Sequence, residues 1–292
     1  MKASDFIYHR PGSVDEAIAL LGDYGGSARI LAGGQSLMPM MNLRLWRPSA
    51  LIDIGRVSGL DQIEERGDVT ILGALVRYHT IEHDLMIARR LPLLAHMIRY
   101  VGDRQVRNRG SIGGSLVQAD PTGEMPLAAL TLGAVALVRG PNGERQIPLE
   151  EFFLGSYATA LENEEMLLEV HYPRHPDHFI FAEVNRRHND FAVVSVAVLG
   201  DCSDGIWRNL RVGLGGVDET PVLARAAMDL VEGTALDCAD IAKAAASAAA
   251  EISPPSDIRA SDEYRRHLTE IHVGRALRAL ADCTTENKEA LR

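Results

Sequence analysis

Cysteine is scarce in this chain. The 292 residues hold three, Cys202, Cys238 and Cys283, with no Cys-x-x-Cys pair among them. That spacing builds neither a disulfide framework nor a local iron-sulfur or zinc ligand set, so any redox metal must come from elsewhere and a reducing, cytoplasmic setting is expected. Long apolar runs are missing too. No window approaches the ~18 consecutive apolar residues of a membrane span, and Met1 to Tyr8 lack the basic-then-apolar order of a secretion signal. Positive charge is in deficit: a formal charge of −10 argues against nucleic acid as a partner, because binding to phosphates needs clustered Lys and Arg. Arg104, Arg107 and Arg109, and the pair Arg186 and Arg187, are short local clusters. They read as solvated arginines or as contacts for an anion or a partner. Two nucleotide signatures are also absent, Gly-x-Gly-x-x-Gly after a strand and Gly-x-x-x-x-Gly-Lys-Ser/Thr.

What the chain does have is two glycine-paired stretches about eighty residues apart, Ala32-Gly33-Gly34-Gln35-Ser36 and Ser111-Ile112-Gly113-Gly114-Ser115. Glycine lets an anion approach the main chain, and successive N–H groups can act as a nest for it. Gln35, Ser36, Ser111 and Ser115 add neutral donors. One such pair alone reads as an ordinary turn. Two of them, each entered from apolar residues and each expected at a strand end, suggest a diphosphate cradled between loops without a lysine clamp.

Length predicts two domains, and with 46% hydrophobic and 24% charged residues the composition is that of a globular chain. Ser13 and Glu16 mark the start of an amphipathic helix to Gly22. Strands are expected at Ala28–Ala32, Leu51–Ile54, Val69–Ala74, Ala134–Val138 and Met166–Tyr172, with a turn at Pro141-Asn142-Gly143. A helical turn is expected around Leu37–Leu43. The stretch Thr80–Tyr100 has helical spacing that Pro92 should split into two helices, and Leu127–Leu132 is a short buried helix. A boundary falls near Pro173 to Asp177. Beyond it come Phe179-Ile180-Phe181, strands at Val193–Leu199 and Leu210–Leu214, a helix over Ile241–Ile252, and a last helix from Ser261 to about Ala281. The tail from Thr284 is polar and expected to be loose.

Leu31-Ala32-Gly33-Gly34-Gln35-Ser36-Leu37, the run from Gln105 to Gly114, Ala119-Asp120-Pro121 and Glu124-Met125-Pro126 resemble the FAD-binding medium subunit of the molybdenum hydroxylases, the carbon monoxide dehydrogenase and xanthine dehydrogenase group. The likeness covers nearly the whole chain. It implies an α+β fold: a vanillyl-alcohol-oxidase (PCMH)-type FAD-binding domain over residues 1–175, in lobes of about 1–57 and 58–175. A smaller α+β domain with a three-stranded sheet and helices follows over 176–284, with 285–292 as tail. By resemblance, Ile30, Leu31, Ala32, Gly33, Gly34, Gln35, Ser36 and Leu37 hold the FAD diphosphate together with Ser111, Ile112, Gly113, Gly114 and Ser115. Glu124 takes the place of an acidic residue that contacts FAD, and Val101 and Leu161 match further contact positions. Phe191 stands where relatives often carry a tyrosine near the isoalloxazine, and equally reads as a core aromatic ahead of a strand. Ser111, Ser115 and Glu124 replace threonine, asparagine and aspartate, all keeping hydrogen-bonding capacity.

The resemblance implies no catalytic residue and no metal ligand in this chain. It implies FAD as the cofactor, which would pass electrons from a small [2Fe-2S] partner to an external acceptor, while a large partner carries the molybdenum cofactor. Two other readings stay open: a stand-alone FAD oxidase of a small molecule, or a non-redox nucleotide-binding interaction module. An oxidase would need a base. His79 and His83 lie four apart on one helical face, and His171, His175 and His178 gather at the boundary, but none has a Glu at zincin spacing, so each reads as solvated or core-edge.

Overall fold

The chain opens with a small parallel sheet. In the computed structural model, which describes residues 2–187 and 189–289, β1 (Ile7–His9), α1 (Val14–Asp23), β2 (Ala28–Leu31), α2 (Leu37–Asn42) and β3 (Ala50–Asp53) form the first lobe. Its strands run in the order β1-β3-β2, all parallel, which requires crossovers that α1 and α2 supply. Ser13 Oγ accepts from the Glu16 N–H at 3.2 Å, and the Glu16 carboxylate accepts from the Gly12 N–H at 2.8 Å. This reciprocal cap fixes where α1 starts. Its buried face, Ala17, Ile18 and Leu21, packs with Ala50 and Ile52 of β3.

The second lobe starts with β4 (Ile63–Arg66) and β5 (Val69–Gly73) and continues through α3 (Tyr78–His83), α4 (Leu85–Arg90) and α5 (Pro92–Met97). The helical stretch expected to break only at Pro92 breaks twice. Asp84 accepts from the N–H groups of Met86 and Ile87 at 2.8 and 2.9 Å, starting a new helix because its carboxylate satisfies donors that the preceding turn cannot. Next come α6 (Arg104–Arg109), α7 (Ile112–Gln118) and α8 (Glu124–Thr131), then β6 (Val135–Gly140) and β7 (Gly143–Pro148). After α9 (Leu149–Phe152), the short β8 (Phe153–Gly155) and β9 (Ala158–Thr159) lead into β10 (Met166–Tyr172). The main sheet is antiparallel in the order β4-β5-β10-β6-β7.

The rest of the chain forms β11 (His178–Val184), β12 (Val194–Ser203), β13 (Ile206–Gly215), β14 (Val222–Leu223), α10 (Arg225–Val231), α11 (Cys238–Ala250) and α12 (Asp262–Glu289). Three long antiparallel strands are joined by a fourth, β14, of two residues, so the sheet has four strands and not three. Its faces have different partners. Val194, Val196, Val198 and Leu214 pack with Ala244 and Leu277 of the helices, whereas Phe179, Phe181, Ala197 and Leu199 join the core of the second lobe. Arg211 of β13 donates to the Thr131 and Leu130 carbonyls at 2.7 and 3.1 Å. It thereby caps the buried C-terminal end of α8 with positive charge. The last helix does not stop near Ala281; it continues through residues 284–289, where a loose tail was expected, and residues 290–292 lie outside the described residues.

Candidate cofactor site

A cavity of about 590 Å³ opens where the two lobes and the C-terminal sheet meet, within the size range of cofactor sites. The chain after β2 contributes Ala32 to Leu37, the start of α7 contributes Ser111 and Gly113 to Ser115, and Val101 and Leu161 flank them. Glu124, first residue of α8, and Asn189 and Phe191 from the β11–β12 connection complete the wall.

The two glycine pairs do different things there. After β2, the N–H groups of Gly33, Gly34, Gln35 and Ser36 donate to no acceptor among the described residues. Four consecutive donors therefore face the cavity wall unpaired, a costly arrangement unless water or a ligand takes them. Gly33 owes its identity to packing as well: a Cβ there would sit 2.2 Å from the Arg109 carbonyl oxygen. The second pair is not a loop at a strand end but the first turn of α7, entered from α6. Its N–H groups are already used, Ile112 on the Val76 carbonyl and Gly113 on the Ala74 carbonyl, both at 3.0 Å, Gly114 on Ser111 Oγ at 3.3 Å and Ser115 on the Ser111 carbonyl at 3.1 Å. A Cβ at Gly113 would come within 2.6 Å of Ala74 Cβ, so this glycine lets a helix seat on the end of β5.

One acid on the wall is strongly perturbed. Glu124 is pushed up to about 8, chiefly by burial, with Glu183 and Asp120 adding repulsion. Its carboxyl is neutral at pH 7 and can donate a hydrogen bond. Glu183, at the β11 edge behind it, is likewise pushed up to about 7 by burial, and its Oε2 has no hydrogen-bond partner. Burial also raises the Tyr78 hydroxyl, which Ser115 engages. Arg29 is the cation on the wall nearest the donors, but its guanidinium donates to the Gly26 and Ala28 carbonyls and lies 4.5 Å over the Trp46 ring.

Of the residues singled out in the sequence, Ile30, Ala32, Gly33, Gly34, Gln35, Ser36, Leu37, Val101, Ser111, Gly113, Gly114, Ser115, Glu124, Leu161 and Phe191 line the cavity. Leu31 and Ile112 do not: Ile112 is wholly buried, and Leu31 Cδ1 packs against Gly34. Two of the neutral donors are committed elsewhere, since Gln35 Nε2 donates to the Gly33 carbonyl at 3.1 Å and Ser111 Oγ caps α7. Phe191 is 54% exposed, which removes its reading as a core aromatic. The Arg259 guanidinium sits 4.7 Å over its ring.

Sequence reading missed Tyr78, Tyr157 and Asn189, all on the wall. Ala119 and Tyr157 both have positive φ, 49° and 59°, and the Tyr157 N–H donates to the Ala119 carbonyl at 2.9 Å. Left-handed backbone at residues other than glycine clusters at ligand sites, and no sequence signal announces it. The boundary histidines are structural: His175 Nε2 accepts from the Leu93 N–H at 3.2 Å, His171 meets Glu169 at 2.7 Å, and His178 stacks edge-on to Trp207.

Comparison with known proteins gives the same outline. Residues 3–175 match the family model described as the FAD binding domain in molybdopterin dehydrogenase, and residues 179–280 match that of the CO dehydrogenase flavoprotein C-terminal domain. The chain is 36% identical over 280 residues to the carbon monoxide dehydrogenase medium chain of Hydrogenophaga pseudoflava, covering 94% of this chain and 96% of that one. It is 35% identical over 277 residues to the nicotine 6-hydroxylase medium subunit of Paenarthrobacter nicotinovorans, covering 95% and 98%. Among solved structures, quinoline 2-oxidoreductase from Pseudomonas putida 86 superimposes with a TM-score of 0.92 at 36% identity, covering 97% of this chain and 99% of that one.

Proposed function

On the premise that this chain belongs to the family of FAD-binding medium subunits of the molybdenum hydroxylases, we propose that it is the electron-transfer subunit of such an enzyme. It would stand between a small [2Fe-2S] partner and an external acceptor in the cytoplasm, with a large molybdenum-cofactor partner oxidising the substrate. The chain is an oxidoreductase subunit and FAD is its cofactor. In this reading residues up to about 175 are the FAD domain and those from 176 the C-terminal domain.

The observation that carries the proposal is the run of unpaired N–H groups from Gly33 to Ser36 on the wall of the 590 Å³ cavity. A diphosphate fits this set because its oxygens accept from all four without a competing cation, and the neutral Glu124 carboxyl does not repel it. When bound, FAD supplies the redox chemistry that no side chain of this protein provides. The protein's own residues bind and orient: the first glycine loop holds the diphosphate, and Ser36 and Ser115 offer hydroxyls beside it. Glu124 holds a proton at the wall, while Phe191, braced by Arg259, screens the mouth from water.

The test is an absorption spectrum of the purified chain, alone and co-produced with its small and large partners, followed by release and identification of the cofactor. Released FAD that becomes reduced only with the iron-sulfur partner is the expected result. Direct reduction by a small substrate would make the chain a stand-alone oxidase. A colourless protein that takes up no FAD even with partners would leave only a nucleotide-binding module.

A further inference from the structure

On the outer face of α3, away from the cofactor cavity, three side chains converge. One nitrogen of His79, one carboxylate oxygen of Glu82 and one nitrogen of His83 all lie within 4.8 Å of one another, the single group of this kind among the described residues. The sequence holds the order His-x-x-Glu-His, the reverse of the His-Glu-x-x-His spacing weighed above. Offsets of three and four residues put all three on one helical face.

Two features prepare these groups as ligands. His83 Nδ1 lies 2.8 Å from the His79 carbonyl oxygen. A carbonyl can only accept, so Nδ1 carries the proton of this hydrogen bond and Nε2 is the ring nitrogen left to ligate a metal. An outer hydrogen bond of this kind is how metal-binding histidines are usually oriented. Glu82 Oε2 accepts from Arg107 Nε at 2.9 Å, leaving Oε1 free. Arg107 is in turn anchored to the Val101 and Gly102 carbonyls at 3.1 and 2.8 Å. The carboxylate is thus held by Arg107 while one of its oxygens lies within 4.8 Å of a nitrogen of each histidine.

We propose that His79, Glu82 and His83 form a surface site for a divalent transition-metal ion of the zinc type. Two imidazoles and one carboxylate are a borderline nitrogen and oxygen set that suits Zn²⁺ and leaves a fourth position to water. Tetrahedral coordination at about 2.1 Å places ligand atoms about 3.4 Å apart. Both histidines are exposed, and with His83 held by its carbonyl contact it is rotation of the His79 side chain that closes the gap without moving the backbone. Ile81, buried on the opposite face of α3, keeps the helix seated. A bound ion would pin α3 to α6 through Glu82 and Arg107, bracing the Val101–Gly102 edge of the cavity from outside.

The experiment is calorimetric titration of ZnCl₂ into the full chain, freed of any affinity tag, in a buffer that does not bind metal. The same titration is run on His79→Ala, His83→Ala and Glu82→Gln. One equivalent of Zn²⁺ is expected. Because loss of a mere outer-shell partner costs about 10–100-fold in affinity, each ligand change should weaken uptake at least about tenfold. No stoichiometric uptake by the unaltered chain overturns the site. So does uptake that the His variants leave unchanged, since the ion is then held elsewhere, for instance at the boundary histidines. Unchanged uptake by Glu82→Gln overturns the three-ligand set. Both histidines are exposed and Glu82 is half-buried, and circular dichroism verifies that each variant is folded.

Discussion

Two glycine pairs that look alike in the sequence differ in what their backbones have left to give. After β2, Gly33 to Ser36 present four N–H groups with no acceptor among the described residues. At α7, Ile112 to Ser115 have spent theirs on Val76, Ala74 and Ser111. The first pair is a donor array; the second is a packing joint that brings a helix against the end of β5 and the Arg109–Gly110 turn against Gly33. A glycine pair therefore signals close approach, and only hydrogen-bond accounting tells whether a ligand or the protein itself does the approaching.

Hydrogen exchange gives the most direct way to break this contrast. Without FAD, the amides of Gly33 to Ser36 should exchange quickly and those of Gly113 to Ser115 slowly. Adding FAD should slow the first set on the order of tenfold or more and leave the second nearly unchanged. Equal protection of both segments by FAD would erase the distinction.

The contrast extends to charge, because the cavity wall carries a buried acid, Glu124, that holds its proton. Glu124 has a folded pKa of about 8 against an ordinary 4.5, and Glu183 about 7. Between pH 4.5 and these values the unfolded chain has released protons that the folded chain retains. Stability of the FAD-free protein should therefore fall as pH rises through that window, by up to ~1.4 kcal/mol per pH unit per group, and level off above pH 8. Melting temperatures across pH 5 to 9 check this. Glu124→Gln, which stays neutral throughout, should flatten the slope; a slope identical to that of the unaltered protein would place the effect elsewhere.

Adding one methyl group to either glycine pair tests whether the packing claims hold. At Gly113 the new Cβ would meet Ala74 within 2.6 Å, and at Gly33 the Arg109 carbonyl within 2.2 Å. Overpacking of this kind costs about 1–3 kcal/mol, or a fall of roughly 2–4 °C per kcal/mol in a domain of this size. Gly113→Ala and Gly33→Ala should both lower the melting temperature of the FAD-free chain. Gly33→Ala should also weaken FAD retention, because the donor loop itself must move. An unchanged melting temperature for Gly113→Ala would return that pair to the role of an open loop.

The sequence was most readable where a local rule decides the outcome. Ser13 and Glu16 announce α1, Pro141-Asn142 the β6–β7 hairpin, and the alternating apolar run the strand Met166–Tyr172, which the structure reproduces residue for residue. It was least readable where tertiary neighbours decide. The run Gln105 to Gly114 carries the resemblance, yet its division into α6, a turn and α7 depends on Ala74 and Val76 receiving its N–H groups. The wall residues Tyr78 and Tyr157 are tyrosines like any other until the fold turns them to the cavity. His79 and His83 were legible as a spacing, but Glu82 was not counted with them, and the Arg107 that steadies Glu82 lies 25 residues on.

The two serines that precede these turns offer the finest distinction. Ser111 Oγ accepts from the Gly114 N–H and the residue is 2% exposed, so Ser111→Ala removes a helix cap and should cost about 1 kcal/mol of stability. Ser36 occupies the corresponding place before α2 but makes no side-chain cap bond. Ser36→Ala should leave the stability of the FAD-free chain within about 0.5 kcal/mol of the original, and its effect should emerge only as weaker FAD binding. Measured side by side, the serine at the packing joint answers to denaturation and the serine at the donor array answers to the cofactor. If Ser36→Ala instead destabilises the FAD-free chain as much as Ser111→Ala does, the donor array is holding itself together rather than awaiting a diphosphate.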